Sequence, residues 1–116
     1  MGKIMDVIRS TKENDPILMS LLPQFEDLLR QGLEDLQGAI DQGRKIDIKR
    51  ICHRLSGSAA TYGYGLLSKR LGTLEAFVES GPPKAELEIY ARSIRSLCER
   101  VFAGISGNQT SPQSYN

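Results

Sequence analysis

The spacing of apolar residues is the feature that most restricts the fold of this chain. Leucine, isoleucine and aromatic residues recur every three, four or seven positions along most of its length, which is the pattern of a helix buried on one face. No stretch alternates between apolar and polar residues for long enough to indicate a strand. The first run predicts a helix over about 16–42, and Pro23 either kinks it or opens a second helix after a short turn. This run consists of Leu18, Leu22, Phe25, Leu29, Leu36 and Ile40.

Three further runs of the same kind follow, and turn residues separate them. They extend from Ile48 to Tyr62, from Leu67 to Val78, and from Leu87 to Ile105. Amphipathic helices with short connections are typical of an all-α, antiparallel up-and-down four-helix bundle. The sequence therefore predicts such a bundle over 16–106, with a short extra N-terminal helix or turn. Residues 1–15 are expected to form a flexible N-terminal segment, and the polar residues 107–116 a disordered tail.

Composition limits what this domain can bind. The chain has 116 residues and a net charge of +1, so no strong field attracts nucleic acid or an anionic membrane. No window is apolar enough to span a bilayer, and a monomer in the cytoplasm is expected. Cys52 and Cys98 lie inside apolar runs, which favours buried thiols. One histidine and two separated cysteines do not make a zinc site, and no cofactor is expected in this chain.

The start of the second run is interpreted from its capping pattern. Asp47 is predicted to be the N-cap, and Ile46 and Ile51 then fall at the positions of a hydrophobic staple. Gly57 could end this helix as a residue of left-handed conformation. Apolar residues stay in phase beyond it, however, so one continuous helix to about Tyr62 is predicted.

The only histidine of the chain, His53, is predicted to point away from the core. At about 100° per residue, it lies about 140° from Ile48, whereas the other apolar residues of the run fall within about 60° of Ile48. Residues three, four and seven positions later share its strip of helix surface, and here they are Ser56, Gly57 and Ala60. All three are small, although a glycine costs a helix about 1 kcal/mol relative to alanine. The strip indicates a surface on which another protein docks, with three cations around it: Lys49, Arg50 and Arg54.

The chemistry available to such a residue is narrow. A single histidine cannot supply a hydrolase triad, and the chain has neither a nucleophile-elbow serine nor a phosphate-binding glycine loop. A free imidazole titrates near pH 6.5, so at pH 7 it is mostly neutral and nucleophilic. One ring nitrogen can then accept a phosphoryl group while the other donates a hydrogen bond. A carrier is the expected role, and its partner would supply the catalysis.

Residues 53–75, "HRLSGSAATYGYGLLSKRLGTLE", resemble the histidine-containing phosphotransfer (Hpt) domain of bacterial phosphorelays. They are also similar to the phosphotransfer domain of chemotaxis histidine kinases. The resemblance implies that His53 is phosphorylated on Nε2, and that Glu75 orients the other ring nitrogen. It implies as partners a response-regulator receiver domain, whose aspartate gives or takes the phosphoryl group, and a sensor or hybrid kinase. Mg²⁺ is expected in the receiver, and the chain itself is not expected to be an enzyme in the strict sense. The residues that carry the resemblance are His53, Leu55, Gly57, Ser58, Ala59, Gly63, Leu74 and Glu75.

One position departs from the family pattern. Many members have lysine three residues after the histidine, where this chain has Ser56. Lys49 and Arg50 are within reach of the histidine on the wheel, Arg54 is turned away, and Lys69 on the next helix could flank the site. The alternative function is a docking module that binds and inhibits a receiver or kinase without being phosphorylated.

Overall fold

The protein is built from helices. The structure, a computed structural model, describes residues 6–110 and the side chains of residues 6–107. No strand occurs between residues 6 and 110, so the predicted all-helical class is confirmed. The ends of the predicted N-terminal segment and tail, 1–5 and 111–116, lie outside the described residues. The elements are α1 (Pro16–Ser20), α2 (Leu22–Asp41), α3 (Lys45–Thr61), α4 (Gly65–Glu79) and α5 (Lys84–Thr110).

The first apolar run forms two helices, which is one of the two outcomes predicted for Pro23. Asp15 caps α1, because its carboxylate accepts hydrogen bonds from the backbone N–H groups of Ile17 and Leu18, each at 3.1 Å. Pro23 lies in the first turn of α2. A proline is tolerated there because the first helical N–H groups have no partner within the helix.

Helix α3 begins three residues earlier than predicted, and its proposed capping pattern is wrong. Arg44 is the N-cap, and Asp47 lies inside the first turn, where its carboxylate pairs with Arg44 at 3.1 Å. Ile46 is therefore a helical surface residue that is 70% exposed, and it does not form a staple with Ile51. The early start follows from the turn before it, which Gly43 completes with a φ of +65°.

Helix α3 passes through Gly57 without a break, as predicted from the phase of the apolar residues. It ends in a Schellman motif. The N–H of Gly63 donates to the carbonyl of Ala60 at 3.1 Å, and the N–H of Tyr64 donates to that of Ala59 at 2.8 Å. Gly63 has a φ of +85°, which only glycine adopts at little cost. The chain then enters α4 almost at once.

The four longer helices enclose one core. Helix α2 contacts α3 and α5, helix α4 contacts the same two helices, and α1 packs on α2. Both cysteines are buried and free of disulfides, as predicted. Burial raises the pKa of each thiol to about 12. The largest fully buried side chains include Phe25, Leu29, Leu55, Leu71, Leu74 and Ile94.

The described part of the predicted flexible segment, residues 6–15, lies against the bundle. Ser10 is buried, and its hydroxyl donates a hydrogen bond to the carbonyl of Tyr62. The N–H of Ile8 donates to the carbonyl of Arg100 at 3.1 Å. A Cβ at Gly104 would lie 2.4 Å from the carbonyl oxygen of Ile8, so this segment and α5 touch backbone to backbone. Contacts of this kind leave no apolar pattern in the sequence, so the sequence gives no sign of them.

Helix α5 continues to Thr110, past residue 107, where the sequence predicts that the tail begins. Its buried residues recur from Leu87 to Ile105, and most of the residues between them are polar. Within the described part of the chain, no helix is both long enough and apolar enough to cross a membrane.

Candidate functional site

The imidazole of His53 projects into solvent from the middle of α3. Its side chain is 81% exposed, whereas Cys52 and Leu55, on either side of it in the sequence, are fully buried. The two buried residues fix the rotation of α3 about its own axis, because both belong to the core between α3 and its neighbours. The direction of His53 therefore follows from the apolar pattern of the helix.

Helix α4 brings a carboxylate to this imidazole. The Nδ1 atom of His53 and the Oε2 atom of Glu75 are 3.3 Å apart, and the Glu75 side chain is partly buried. Leu71 and Leu74, which are fully buried, hold the adjoining turn of α4 against the core. A carboxylate at this distance can accept a hydrogen bond from an N–H group at Nδ1, which leaves the Nε2 lone pair directed away from Glu75.

The surface around His53 carries small side chains on both α3 and α4. Gly57 and Ala60 are exposed on α3, and a Cβ added at Gly57 would meet no atom within 4 Å. On α4, Gly72 and Ala76 line a shallow groove of about 510 Å³, which Glu75 also lines. The small residues of α3 could be found from the helical wheel, but those of α4 could not, because only the packing of the two helices brings them to the same surface.

Ser56 was predicted to lie on the same strip, but its side chain faces α4. The Ser56 hydroxyl is hydrogen-bonded to the carbonyl of Ser68 at 2.9 Å and lies 3.0 Å from the Ser68 hydroxyl. The residue is partly buried. It therefore braces α3 against α4 beside the histidine and adds little to the exposed surface.

Two of the predicted cations are engaged by carboxylates on either side of His53. Lys49 pairs with Glu79 of α4, which also lies 3.5 Å from the Nζ atom of Lys45. The hydrogen bond and charge of Lys49, with a smaller effect of Lys45, lower the pKa of Glu79 below its ordinary value. Arg50 lies 3.4 Å from Asp47 on the other side of the helix.

The other two cations line grooves that do not include the histidine. Arg54 is exposed and lines a groove between α2 and α3 together with Glu34 and Asp35. Lys69 is exposed on α4 and borders a separate groove toward α5, which Ile89 also lines. Neither side chain is brought close to His53 by a contact that the structure records. Lys49 is the cation nearest the groove that contains Glu75.

A family model described as Hpt domain matches residues 20–104, which include α2–α4 and most of α5. The chain belongs to the Hpt domain family. No curated protein and no solved structure matches it. Hpt domains are phosphotransfer modules of two-component signalling, and they carry phosphoryl groups rather than catalyse a reaction. They interact with receiver domains and kinases.

Ile46, an exposed apolar residue of this Hpt domain, lies on the same face of α3 as the histidine. Ile46 lies seven residues before His53, which is almost two full turns, so both side chains leave α3 in nearly the same direction. The sequence pattern predicts that Ile46 packs against Ile51 as a hydrophobic staple, so its place on this face does not follow from the sequence. The face of the Hpt domain around the histidine thus extends from Ile46, past Lys49 and His53, to Gly57 and Ala60.

Proposed function

We propose that this Hpt domain accepts a phosphoryl group on Nε2 of His53 and passes it to or from an aspartate of a response-regulator receiver domain. The observation that supports this most is the exposed imidazole with a carboxylate 3.3 Å from its Nδ1 atom. A docking module that is never phosphorylated would need neither an exposed nucleophile nor a group that orients it.

The transfer needs little from the Hpt domain beyond positioning. The lone pair of Nε2 attacks the phosphorus of the aspartyl phosphate, the N–P bond forms, and the P–O bond to the aspartate breaks. The electron pair of that bond leaves with the aspartate carboxylate. The imidazole keeps its proton on Nδ1, and it becomes a positively charged phosphoimidazolium. Glu75 holds that proton and stabilises the charge, and the reverse reaction restores the neutral ring.

The surface around His53 suits this partner. Gly57, Ala60, Gly72 and Ala76 leave the imidazole unobstructed, so a receiver can bring its aspartate to Nε2. We propose that the receiver holds the Mg²⁺ that neutralises the phosphoryl charge on its own side. A sensor or hybrid kinase would be the other end of the relay.

We also propose that α2–α5 run up and down as an antiparallel four-helix bundle. Their connections cover only 42–44, 62–64 and 80–83. Connections this short join helices that lie side by side in opposite directions. The contacts support this arrangement, because each of these helices packs against two of the other three.

The test is transfer of labelled phosphate from a phosphorylated receiver domain. We expect wild type to gain a label that is stable in base and labile in acid, and His53→Gln to gain none. Glu75→Ala should slow the transfer about tenfold or more, because a charge-assisted hydrogen bond is lost. The matched control is Glu99→Ala, which removes an exposed carboxylate from α5, a helix without contacts to α3.

Two outcomes would overturn the proposal. Equal labelling of His53→Gln and wild type would place the phosphoryl group elsewhere. Binding of the receiver by both proteins, with no label on either, would identify the domain as a docking module. The circular dichroism spectrum of each variant establishes that it is folded.

A further inference from the structure

Three charged residues, Lys45, Lys49 and Glu79, form a network of ion pairs beside the site. Glu79, near the C-terminal end of α4, pairs with Lys49 and with Lys45 of α3. Lys45 also donates a hydrogen bond to the backbone carbonyl of Glu79 at 3.4 Å. The Lys49 side chain lines the groove that contains Glu75, the carboxylate beside the imidazole. One carboxylate therefore has two cations, and one of these cations faces the site.

Phosphorylation of His53 would add negative charge beside a groove that already contains two carboxylates. A phosphoryl group adds about −1.5 to −2 charges near pH 7. It would appear close to Glu75, with Glu79 further along the same groove. Like charges at this spacing disfavour the phosphorylated state, so a cation is needed nearby. The lysine that many Hpt domains have at the position of Ser56 is missing, and Ser56 itself is engaged with Ser68.

We propose that Lys49 exchanges partners when His53 is phosphorylated, leaving Glu79 and pairing with the phosphoryl group while Lys45 stays on Glu79. This inference rests on the proposed function. Lys49 lies four residues before His53, so the two side chains are neighbours on the helix surface, with Cβ atoms about 5–6 Å apart. Lys45 lies eight residues before His53, about 12 Å along the axis, and cannot serve both groups.

The exchange leaves no carboxylate without a cation. Glu79 is exposed and keeps Lys45 at 3.5 Å after Lys49 moves away. An exposed ion pair contributes little to stability, so Lys49 is released at small cost. Arg50 is less suited, because it leaves α3 on the side opposite the groove, where Asp47 is its partner. Glu79, which forms ion pairs with both lysines, thus holds Lys49 beside the site in the unphosphorylated protein.

The experiment uses phosphoramidate, a small donor that phosphorylates histidine without a docking step. Nε2 attacks its phosphorus, the N–P bond to the imidazole forms, and the donor P–N bond breaks as ammonia leaves with the electron pair. The phosphohistidine is followed by ³¹P NMR, which gives both its rate of formation and the pKa of the phosphoryl group. Four proteins are compared: wild type, Lys49→Gln, Lys45→Gln and Glu79→Gln.

Lys49→Gln is expected to form phosphohistidine about threefold to fivefold more slowly. Its phosphoryl group should titrate about half a pKa unit higher, because a nearby cation favours the dianion. Lys45→Gln is the matched control, because it removes the same charge from the same carboxylate at a greater distance from His53. It should slow the reaction less than Lys49→Gln does, by about twofold at most, since Glu79 then has only Lys49 as a partner. Glu79→Gln frees Lys49 and should form phosphohistidine at least as fast as wild type.

Different results would contradict the partner exchange of Lys49 and the proposed carrier function. If Lys49→Gln matches wild type in rate and in phosphoryl pKa while His53 is phosphorylated, the partner exchange is wrong and the carrier function stands. An equal effect of Lys45→Gln would also overturn it, since a general loss of positive charge would then explain the result. If wild type gains no phosphoryl group from phosphoramidate or from a receiver, the proposed function itself fails.

Discussion

Gly57 lies inside α3, one turn after His53, at a position where glycine has a cost. Replacing it with alanine should raise the free energy of unfolding by about 0.5–1 kcal/mol, because glycine weakens a helix interior by that amount. Nothing offsets this gain, since the new Cβ would meet no atom within 4 Å and the glycine does not have a positive φ. For a domain of this size, the gain corresponds to about 2–4 °C in Tm.

The control for this stability change is Gly38→Ala. Gly38 is also helical, in α2, and a Cβ there would likewise meet no atom within 4 Å. Urea unfolding followed by far-UV circular dichroism should give similar increases for both variants. If Gly38→Ala is stabilised and Gly57→Ala is not, the surface around Gly57 is more crowded than the structure indicates, and the reasoning about the docking surface is wrong.

A larger side chain at the same position separates docking from chemistry. Gly57→Leu should remain folded, because its side chain points into solvent, but its bulk would stand beside His53 where the receiver approaches. We expect transfer from a receiver to fall about tenfold or more, equivalent to about 1.4 kcal/mol of binding free energy. Phosphorylation by phosphoramidate should stay near the wild-type rate. Normal transfer from the receiver would show that the partner does not cover Gly57.

Two further predictions concern the core. Gly32→Ala should lower the free energy of unfolding by about 1 kcal/mol, because the new Cβ would lie 2.6 Å from a methyl carbon of the buried Leu55; the overpacking cost of about 1–3 kcal/mol exceeds the gain in helix propensity. Urea unfolding checks this, and a more stable variant would contradict it. Burial raises the pKa values of Cys52 and Cys98 to about 12 in the folded protein, from 9.0 for an ordinary thiol. These shifts predict stability that is present below pH 9 and lost as the pH rises toward 12. At pH 10 the loss should be about 1 kcal/mol for each thiol, and under reducing conditions the double alanine variant should lose less stability than wild type between pH 8 and pH 10.

The sequence predicted the helices better than their ends. Apolar phase alone indicated that α3 continues past Gly57 and that His53 faces solvent, because both follow from which residues the core needs. The N-cap at Asp47 was wrong because the positive-φ turn at Gly43 is short, so α3 already begins at Lys45. The packing of Ser10 also left no signal, since its hydrogen bond goes to a backbone carbonyl and any residue could supply that acceptor.

The residues of the site that lie on α3 could be predicted from the helical wheel, but the residues that α4 places beside them could not. Lys49 and Gly57 could be found on the wheel of α3, but their neighbours Gly72 and Glu79 come from α4. The rotation of one helix against another depends on how side chains such as Leu55 fit the space left at Gly32, and periodicity does not contain that information. The proximity of Glu75 to the imidazole was expected only from the family resemblance, and its role remains a prediction.

A lone exposed imidazole also limits how fast a relay can run. Under the proposed function, donor and acceptor must both reach His53 over the same face of α3 and α4, so they cannot be bound together. Each round then requires the first protein to dissociate before the second can arrive. Affinity that slows dissociation would reduce the flux, which favours brief complexes with small interfaces over tight ones.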